Sequence, residues 1–222
     1  MTTIDLDLLW TLALATAAIT VVATEGSVAN AFLIESDRAR FGLMQSDVTA
    51  TAVTGQGVFS DHGPMARLRA VASLAPEVVH VVLPAGSTVA SLADLAGLRV
   101  AAGTPESGSR HTALRLLPID AGRAECIAAE VHGLVPLSVP ARTYPGQDAA
   151  VPTLAATALL VARSDVADAT VEATLELLYA AAAERGGVLA ARLSKERART
   201  GITIPMHDGA TNFFERTAGP RP

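Results

Sequence analysis

The sequence has few of the residues that build disulfides, metal sites and nucleic-acid surfaces. Cys126 is the only cysteine among 222 residues, which excludes a disulfide within the chain and any paired-cysteine metal motif. Lys195 is the only lysine, and the formal net charge is −5. This balance does not provide the basic surface that nucleic acids need, so we expect no nucleic-acid partner.

Catalytic signatures are also missing from the sequence. It contains no HExxH, no Walker loop and no Gly-x-Ser-x-Gly elbow, and its five histidines show no ligand spacing. We therefore expect no enzyme activity, no catalytic residue, no metal site and no cofactor. With 50% hydrophobic and 18% charged residues, the chain can nevertheless bury a sizeable core, in one large domain or two small lobes.

The N-terminal region allows two interpretations. Residues 8–23 are apolar, which is about long enough for the core of a signal peptide but short for a membrane span. Asp5 and Asp7 precede this run with the wrong charge for a signal peptide, and no clear cleavage site follows it. We expect a helix at residues 8–18 and a strand at residues 19–23; an uncleaved or degenerate signal is the alternative.

Short β-branched runs alternate with helical patterns along the rest of the chain, which predicts an α/β fold with parallel strands. The expected strands are residues 41–44, 68–74, 78–83, 98–102, 134–139 and 153–161, with a break at residues 75–77. The expected helices are residues 27–38, 46–54, 91–97, 111–117, 121–131, 166–183 and 188–199, and a short one around residues 212–214. Ser91 and Asp94 have the spacing of a capping box.

Three polar turns open predicted helices: residues 26–30 (GSVAN), 45–47 (QSD) and 107–110 (SGSR). A helix N-terminus exposes unpaired backbone N–H groups, and the helix dipole adds positive charge, so such turns favour an anion. Plain N-caps explain Ser46 or Asp47, and likewise Ser27 and Asn30, equally well. For residues 107–110 ligand binding is the preferred interpretation, and a simple turn is the alternative. Together the three turns indicate a binding cleft rather than a reaction centre.

Several motifs in order resemble those of the TAXI receptors, the extracytoplasmic solute receptors of TRAP transporters. They are TEGSVAN at residues 24–30, FGLMQSDV at 41–48, SLADLAGLRV at 91–100, the SGSR turn, TYPGQD at 143–148 and IPMHDGA at 204–210. The resemblance covers most of the chain from about residue 23 onward. It implies an α/β fold of the type II periplasmic-binding-protein kind, with two lobes joined by a hinge. Lobe one would comprise residues 1–84 plus 152–222, and a reduced lobe two residues 85–151.

The resemblance also implies a function. The chain would be a periplasmic, extracytoplasmic receptor that binds a small organic anion, such as glutamate or a dicarboxylate. It would deliver this ligand to the membrane permease subunits of a TRAP-type transporter. Hydroxyls and amides would donate to carboxylate oxygens, Arg110 would supply the counter-charge and Tyr144 a wall. The expected pocket residues are Ser27, Asn30, Gln45, Ser46, Ser107, Ser109, Arg110, Thr143 and Tyr144.

Two departures from the family pattern make the chain resemble a truncated receptor. It has no counterpart of the first strand and its Tyr-containing, Gly-rich loop, and the second lobe is short. No clear signal peptide is present. A shortened sheet exposes an edge that a second copy would cover, which leaves a homodimer open. A sensory or regulatory ligand-binding module and a non-transporting remnant of the same fold are the alternative functions; residues 143–148 are alternatively a structural turn.

Overall fold

A computed structural model describes residues 20–116, 132–145, 147–187 and 193–217. Within these ranges the α-helices are α1 (Ser27–Glu35), α2 (Ser46–Thr54), α3 (Gly108–Leu116), α4 (Asp168–Arg185) and α5 (Asp208–Thr217). The strands are β1 (Phe41–Gln45), β2 (Leu68–Val78), β3 (Leu134–Val139) and β4 (Val151–Arg163). Short 3-10 turns occupy Gly57–Phe59, Leu92–Leu95 and Lys195–Arg197.

The sheet is organised around β4, a strand of 13 residues with partners on both edges. β2 pairs with one edge, and β1 and β3 pair with the other. All three pairings are antiparallel, so the prediction of parallel strands is wrong for this sheet. Alternating strand and helix patterns do not reveal the direction of a partner that lies far along the chain, and β1 pairs with a strand more than 100 residues later.

Helices cover both faces of the sheet, which gives a mixed α/β architecture of three layers. Leu159 and Val161 point toward a core shared with α1 and α2. Ala158 and Ala162, the alternating neighbours in β4, point toward a core shared with α4 and α5. Because both faces of β4 are buried, its sequence is a continuous apolar run rather than a polar–apolar alternation.

Most of the predicted elements are confirmed. The helix at residues 46–54 is α2, and the strand at residues 134–139 is β3. The C-terminal helix docks on the core through the buried rings of Phe213 and Phe214. The capping box is also present, since the Asp94 carboxylate accepts the backbone N–H of Ser91 at 2.8 Å.

Three strand predictions are wrong. Residues 20–23, 79–83 and 98–102 form no strand and leave apolar side chains such as Val22, Val82 and Leu98 exposed. The predicted break at residues 75–77 is wrong as well, because β2 continues through Pro76. Pro76 lies opposite Thr157, whose N–H points to the other edge of β4, so the missing N–H of proline costs β2 no ladder bond.

Other predictions fall partly or wholly outside the described residues. The helices at residues 8–18 and 121–131 lie outside them, as does Ile19. Residues 188–192 of the predicted helix at 188–199 are also outside. The described remainder of that helix contains only the 3-10 turn Lys195–Arg197, so a helix there is wrong for those residues.

The end of β2 lies beside the first half of β4, where Val78 pairs with Ala155. Between them the chain leaves the sheet after β2 and re-enters it as β3, which pairs with the other edge of β4. Residues 79–150 therefore lie between two strands that are themselves neighbours. This topology brings α3, in the middle of that segment, beside α2.

The packing of α4 gives a direct test of the layered core. Leu175 is fully buried against the sheet, whereas Leu177 on the same helix is only partly buried. We expect Leu175→Ala to lower the free energy of unfolding by about 2–5 kcal/mol, because it leaves a cavity in the core. Leu177→Ala, the matched control, should cost less than half as much. Urea unfolding followed by circular dichroism measures both, and equal losses would contradict this placement of α4.

Candidate functional site

The N-terminus of α1 lies against the turn that precedes α3. Gly26 is the N-cap of α1, with a φ of 133°, and no side chain caps the helix. The backbone N–H groups of Val28 and Ala29 donate to the carbonyl oxygen of Glu106, at 3.2 and 3.4 Å. A backbone oxygen therefore occupies the positive end of α1, and two of the three turns predicted from the sequence meet here.

Glycines allow the third turn to join them. A Cβ on Gly26 would lie 3.2 Å from the Cα of Ser107. A Cβ on Gly108 would overlap the Oε1 atom of Gln45 and lie 2.8 Å from the Oγ atom of Ser27. Because neither glycine carries a side chain, the turns at the starts of α1, α2 and α3 come into direct contact.

The first turn of α3 presents hydroxyls and one cation. The Ser107 hydroxyl accepts the Arg110 backbone N–H at 3.2 Å and donates to the Thr104 carbonyl at 2.9 Å, so Ser107 acts as a cap. Ser109 is exposed and Arg110 is partly exposed. Among the residues that the structure describes, no carboxylate forms an ion pair with Arg110.

Two carboxylates of α2 and β2 lie close to the same contact. Asp47 is fully buried and accepts the Thr112 hydroxyl at 2.7 Å. Burial raises the pKa of the Glu77 carboxyl, a hydrogen bond from the Gln45 side chain lowers it, and the Asp47 charge raises it further. The Oε1 atom of Gln45 is itself buried without a hydrogen-bond partner. The groups beside this contact are therefore rich in hydrogen-bond acceptors.

Sequence reasoning missed three residues of this cluster. Glu77 belongs to a segment predicted as a strand break, and its position depends on β2 continuing through Pro76. Thr112 and His111 lie on α3 and bond to Asp47 and Thr51 of α2, with 3.3 Å between His111 Nε2 and Thr51 Oγ1. No local motif marks these residues, because only the docking of α3 on α2 gives them partners.

Ser27 and Asn30 have a specific task in the structure. The Asn30 side-chain amide donates to the Leu43 carbonyl at 2.8 Å, and the Ser27 hydroxyl accepts the Gln45 backbone N–H at 3.0 Å. These backbone groups lie on the edge of β1 that faces away from β4. Two side chains of α1 thus take the place of a neighbouring strand, which protects an edge that would otherwise be open to association.

Ser46 is fully buried, and its hydroxyl bonds to two backbone groups, the Thr157 N–H and the Gly133 carbonyl. The Ser46 hydroxyl therefore has its hydrogen-bond donor and one acceptor position occupied by backbone groups of the fold.

Thr143 and Tyr144 lie apart from the other predicted residues. They are exposed in a turn that follows β3, and line a shallow depression of about 460 Å³. β3 ends opposite Val151, six residues along β4 from Thr157, which corresponds to roughly 20 Å. The Tyr144 hydroxyl lies 2.9 Å from His80 Nε2, just beyond the end of β2. The structure does not bring these two residues to the converging turns.

A second depression, of about 540 Å³, lies between α4 and α5. The Lys195 ammonium stands over the rings of Tyr179 and Phe213, 5.5 and 5.2 Å from their centroids. Burial, with a further contribution from the Glu196 charge, raises the pKa of Tyr179 to about 12. This groove lies across the sheet from α1 and α2, so it is separate from the converging turns.

The described ranges contain no cluster of three or more His, Cys, Asp or Glu side chains with the geometry to hold a metal ion. In the same ranges, no helix combines the length and the apolar character needed to cross a bilayer.

The raised pKa of Glu77 predicts a pH-dependent stability. Its folded-state pKa lies above the ordinary value of 4.5, so the ionisation of Glu77 opposes folding increasingly as the pH rises above 4.5 and fully once the pH exceeds the folded-state pKa. We expect Glu77→Gln to be more stable than the parent protein at pH 7. This advantage should shrink as the pH falls through the folded-state pKa toward 4.5.

Urea unfolding at several pH values measures the difference between parent and variant, which removes the contribution of all other groups. Glu25→Gln, which alters an exposed carboxylate, serves as the control. A Glu77→Gln advantage that is constant across this pH range, or absent, would contradict the raised pKa that partial burial gives Glu77.

The sequence matches the model of the NMT1-like family over residues 6–119 and again over residues 111–217. Together the two matches take in nearly all of the chain. The mixed α/β architecture, with its four-stranded antiparallel sheet and covering helices, is consistent with a periplasmic-binding-protein-like fold. The chain belongs to the NMT1-like family, a periplasmic-binding-protein-like family with a general role in extracytoplasmic solute binding.

Proposed function

We propose that this protein is an extracytoplasmic receptor of the TAXI type. It binds a small carboxylate and delivers it to the membrane permease subunits of a TRAP-type transporter. The observation that carries the proposal is the contact between the α1 N-terminus and the turn before α3. Here Val28 and Ala29 direct two backbone N–H groups at a single oxygen from the other part of the chain.

A carboxylate oxygen is the natural competitor for the Glu106 carbonyl at this position. It accepts the same two N–H groups, and its full negative charge interacts more favourably with the helix dipole than a neutral carbonyl does. Arg110 and the exposed hydroxyl of Ser109 lie on the first turn of α3, where they complement the same charge. Ligand binding thus exchanges an internal hydrogen bond for a stronger, charge-assisted one.

The acceptors on the other side of the cleft favour a glutamate-like ligand over a plain dicarboxylate. The buried Oε1 atom of Gln45 and the carboxyl of Glu77 both accept hydrogen bonds, so they suit a ligand group that donates them. The ammonium group of an amino acid meets this requirement. A second carboxylate at the same place would be repelled by Glu77 and Asp47.

The remaining predicted residues have supporting roles in this proposal. Ser27 and Asn30 hold the outer edge of β1, which fixes the position of Gln45 at its end. Thr143 and Tyr144 contribute a wall only when the two lobes are arranged differently around a ligand.

Ligand entry requires that Glu106 withdraw from the α1 N-terminus. The end of β2 and the first half of β4, with β3 paired beside it, carry the segment that contains α3, so a small bend of these strands moves α3 and its preceding turn as a unit. A ligand that contacts both sides shifts the balance toward closure by its differential affinity for the closed form.

Calorimetric titration tests the proposal with glutamate, glutamine, 2-oxoglutarate and succinate. We expect glutamate or glutamine to bind more tightly than succinate, because of the acceptors at Gln45 and Glu77. Arg110→Gln should weaken the binding of the preferred ligand by at least about tenfold, which corresponds to 1.4 kcal/mol. Arg38→Gln, a matched change at an exposed residue beyond the C-terminal end of α1, should leave the affinity unchanged.

Two results would count against the receptor function. One is the absence of any heat or thermal shift with all four compounds at millimolar concentration. The other is an equal loss of affinity in Arg110→Gln and Arg38→Gln, which would indicate a nonspecific effect of charge.

A further inference from the structure

Ser46 lies at the point where β1 stops and α2 begins. Its side chain has no exposed surface. The Oγ atom accepts the backbone N–H of Thr157 at 2.8 Å and donates to the carbonyl of Gly133 at 2.5 Å. One hydroxyl therefore connects α2, the central strand β4 and the segment that leads into β3.

The strand register explains why the hydroxyl is needed. β1 pairs with β4 as far as Ala158, and β3 pairs with β4 from Ala156 onward. The two strands thus lie end to end along one edge of β4, and Thr157 is the residue between them. Extending either register by one position places both Ser46 and Gly133 opposite Thr157.

Only one main chain can occupy the position opposite Thr157. Because α2 turns away after Gln45, the side-chain oxygen of Ser46 takes the N–H that a ladder carbonyl would otherwise accept. The same hydroxyl donates to Gly133, so both ends of the interrupted edge are joined through a single atom.

Gly133 fits this junction because it has no side chain. Its φ is 93°, and a Cβ would lie 2.5 Å from the backbone carbon of Ser46 and from the nitrogen of Asp47. The two main chains are therefore in direct contact. Such a contact cannot slide without breaking the hydrogen bonds of the hydroxyl.

We infer that Ser46 is a positioning residue of the hinge. Its hydroxyl holds the point about which β3 and the first half of β4 turn against β1 and the second half of β4, and it does not contact ligand. The inference rests on the proposed function in one respect, since closure around a ligand is the motion that the hinge serves. Contacts at the junction persist when the lobes open, whereas the contact between Glu106 and the α1 N-terminus breaks.

Hydrogen exchange of the unmodified protein without ligand tests the inference directly. If the junction is a fixed point, the Thr157 amide exchanges only by global unfolding, like Leu159 and Val161 in the same strand. The Val28 and Ala29 amides, whose acceptor is Glu106, exchange through lobe opening and therefore at least about tenfold faster. Exchange of Thr157 as fast as that of Val28 would overturn the inference.

A second measurement uses spin labels at Ala173→Cys on α4 and Ser138→Cys on β3, both exposed, in a Cys126→Ser background. We expect Ser46→Ala to broaden the distance distribution between the labels at least about twofold. Thr49→Val, the matched control, removes another fully buried hydroxyl of α2 that bonds only to Gln45 within the helix turn, and should leave the distribution unchanged.

A folded Ser46→Ala protein with the parent distribution would contradict the hinge role, even if its stability is lower. If Ser46→Ala does not fold, the hinge role of Ser46 is still tested by the exchange rates of the Thr157 and Val28 amides in the unmodified protein. Neither measurement uses a ligand, so a failed titration would reject the receptor function without affecting this result.

Discussion

The pairing of β4 along both of its edges is the constraint on which the rest of the structure depends. Its thirteen residues carry β2 on one edge and the successive strands β1 and β3 on the other. Since both faces are also covered by helices, β4 fixes the position of every layer. The site follows from this arrangement, because the end of β1, the start of β3 and the end of β2 all meet near the middle of β4.

The sequence was sufficient to predict helices and strands where local chemistry decides. α2 begins and ends as expected because Gly55, in the left-handed conformation at its C-cap, stops the helix. The sequence was insufficient where a segment's structure depends on pairing with a strand far along the chain. The runs at residues 79–83 and 98–102 have strand-like composition, yet no neighbouring strand pairs with them. Strand direction was mispredicted for the same reason.

The candidate site was predicted in part, and the limit has a physical cause. The three helix-opening turns were identified from glycine, serine and their place after apolar runs, and the structure brings all three together. The roles of individual side chains depended on what each turn touches. Ser27, Asn30 and Ser46 became partners of backbone groups, while Glu77 and Thr112 entered the cluster without any motif to mark them.

The side chains of Ser27, Asn30 and Ser46 hydrogen-bond to main-chain groups of the fold. This affects how the resemblance of the sequence to the solute receptors is interpreted. These three residues belong to the very motifs that resemble the solute receptors, and the fold needs them whether or not a ligand is bound. A descendant that had ceased to transport anything would keep them for its own integrity. The signature therefore indicates ancestry, and the proposed ligand has to be inferred from other groups: the Oε1 atom of Gln45, which is buried without a partner, and Arg110, which forms no ion pair with a carboxylate of the described residues.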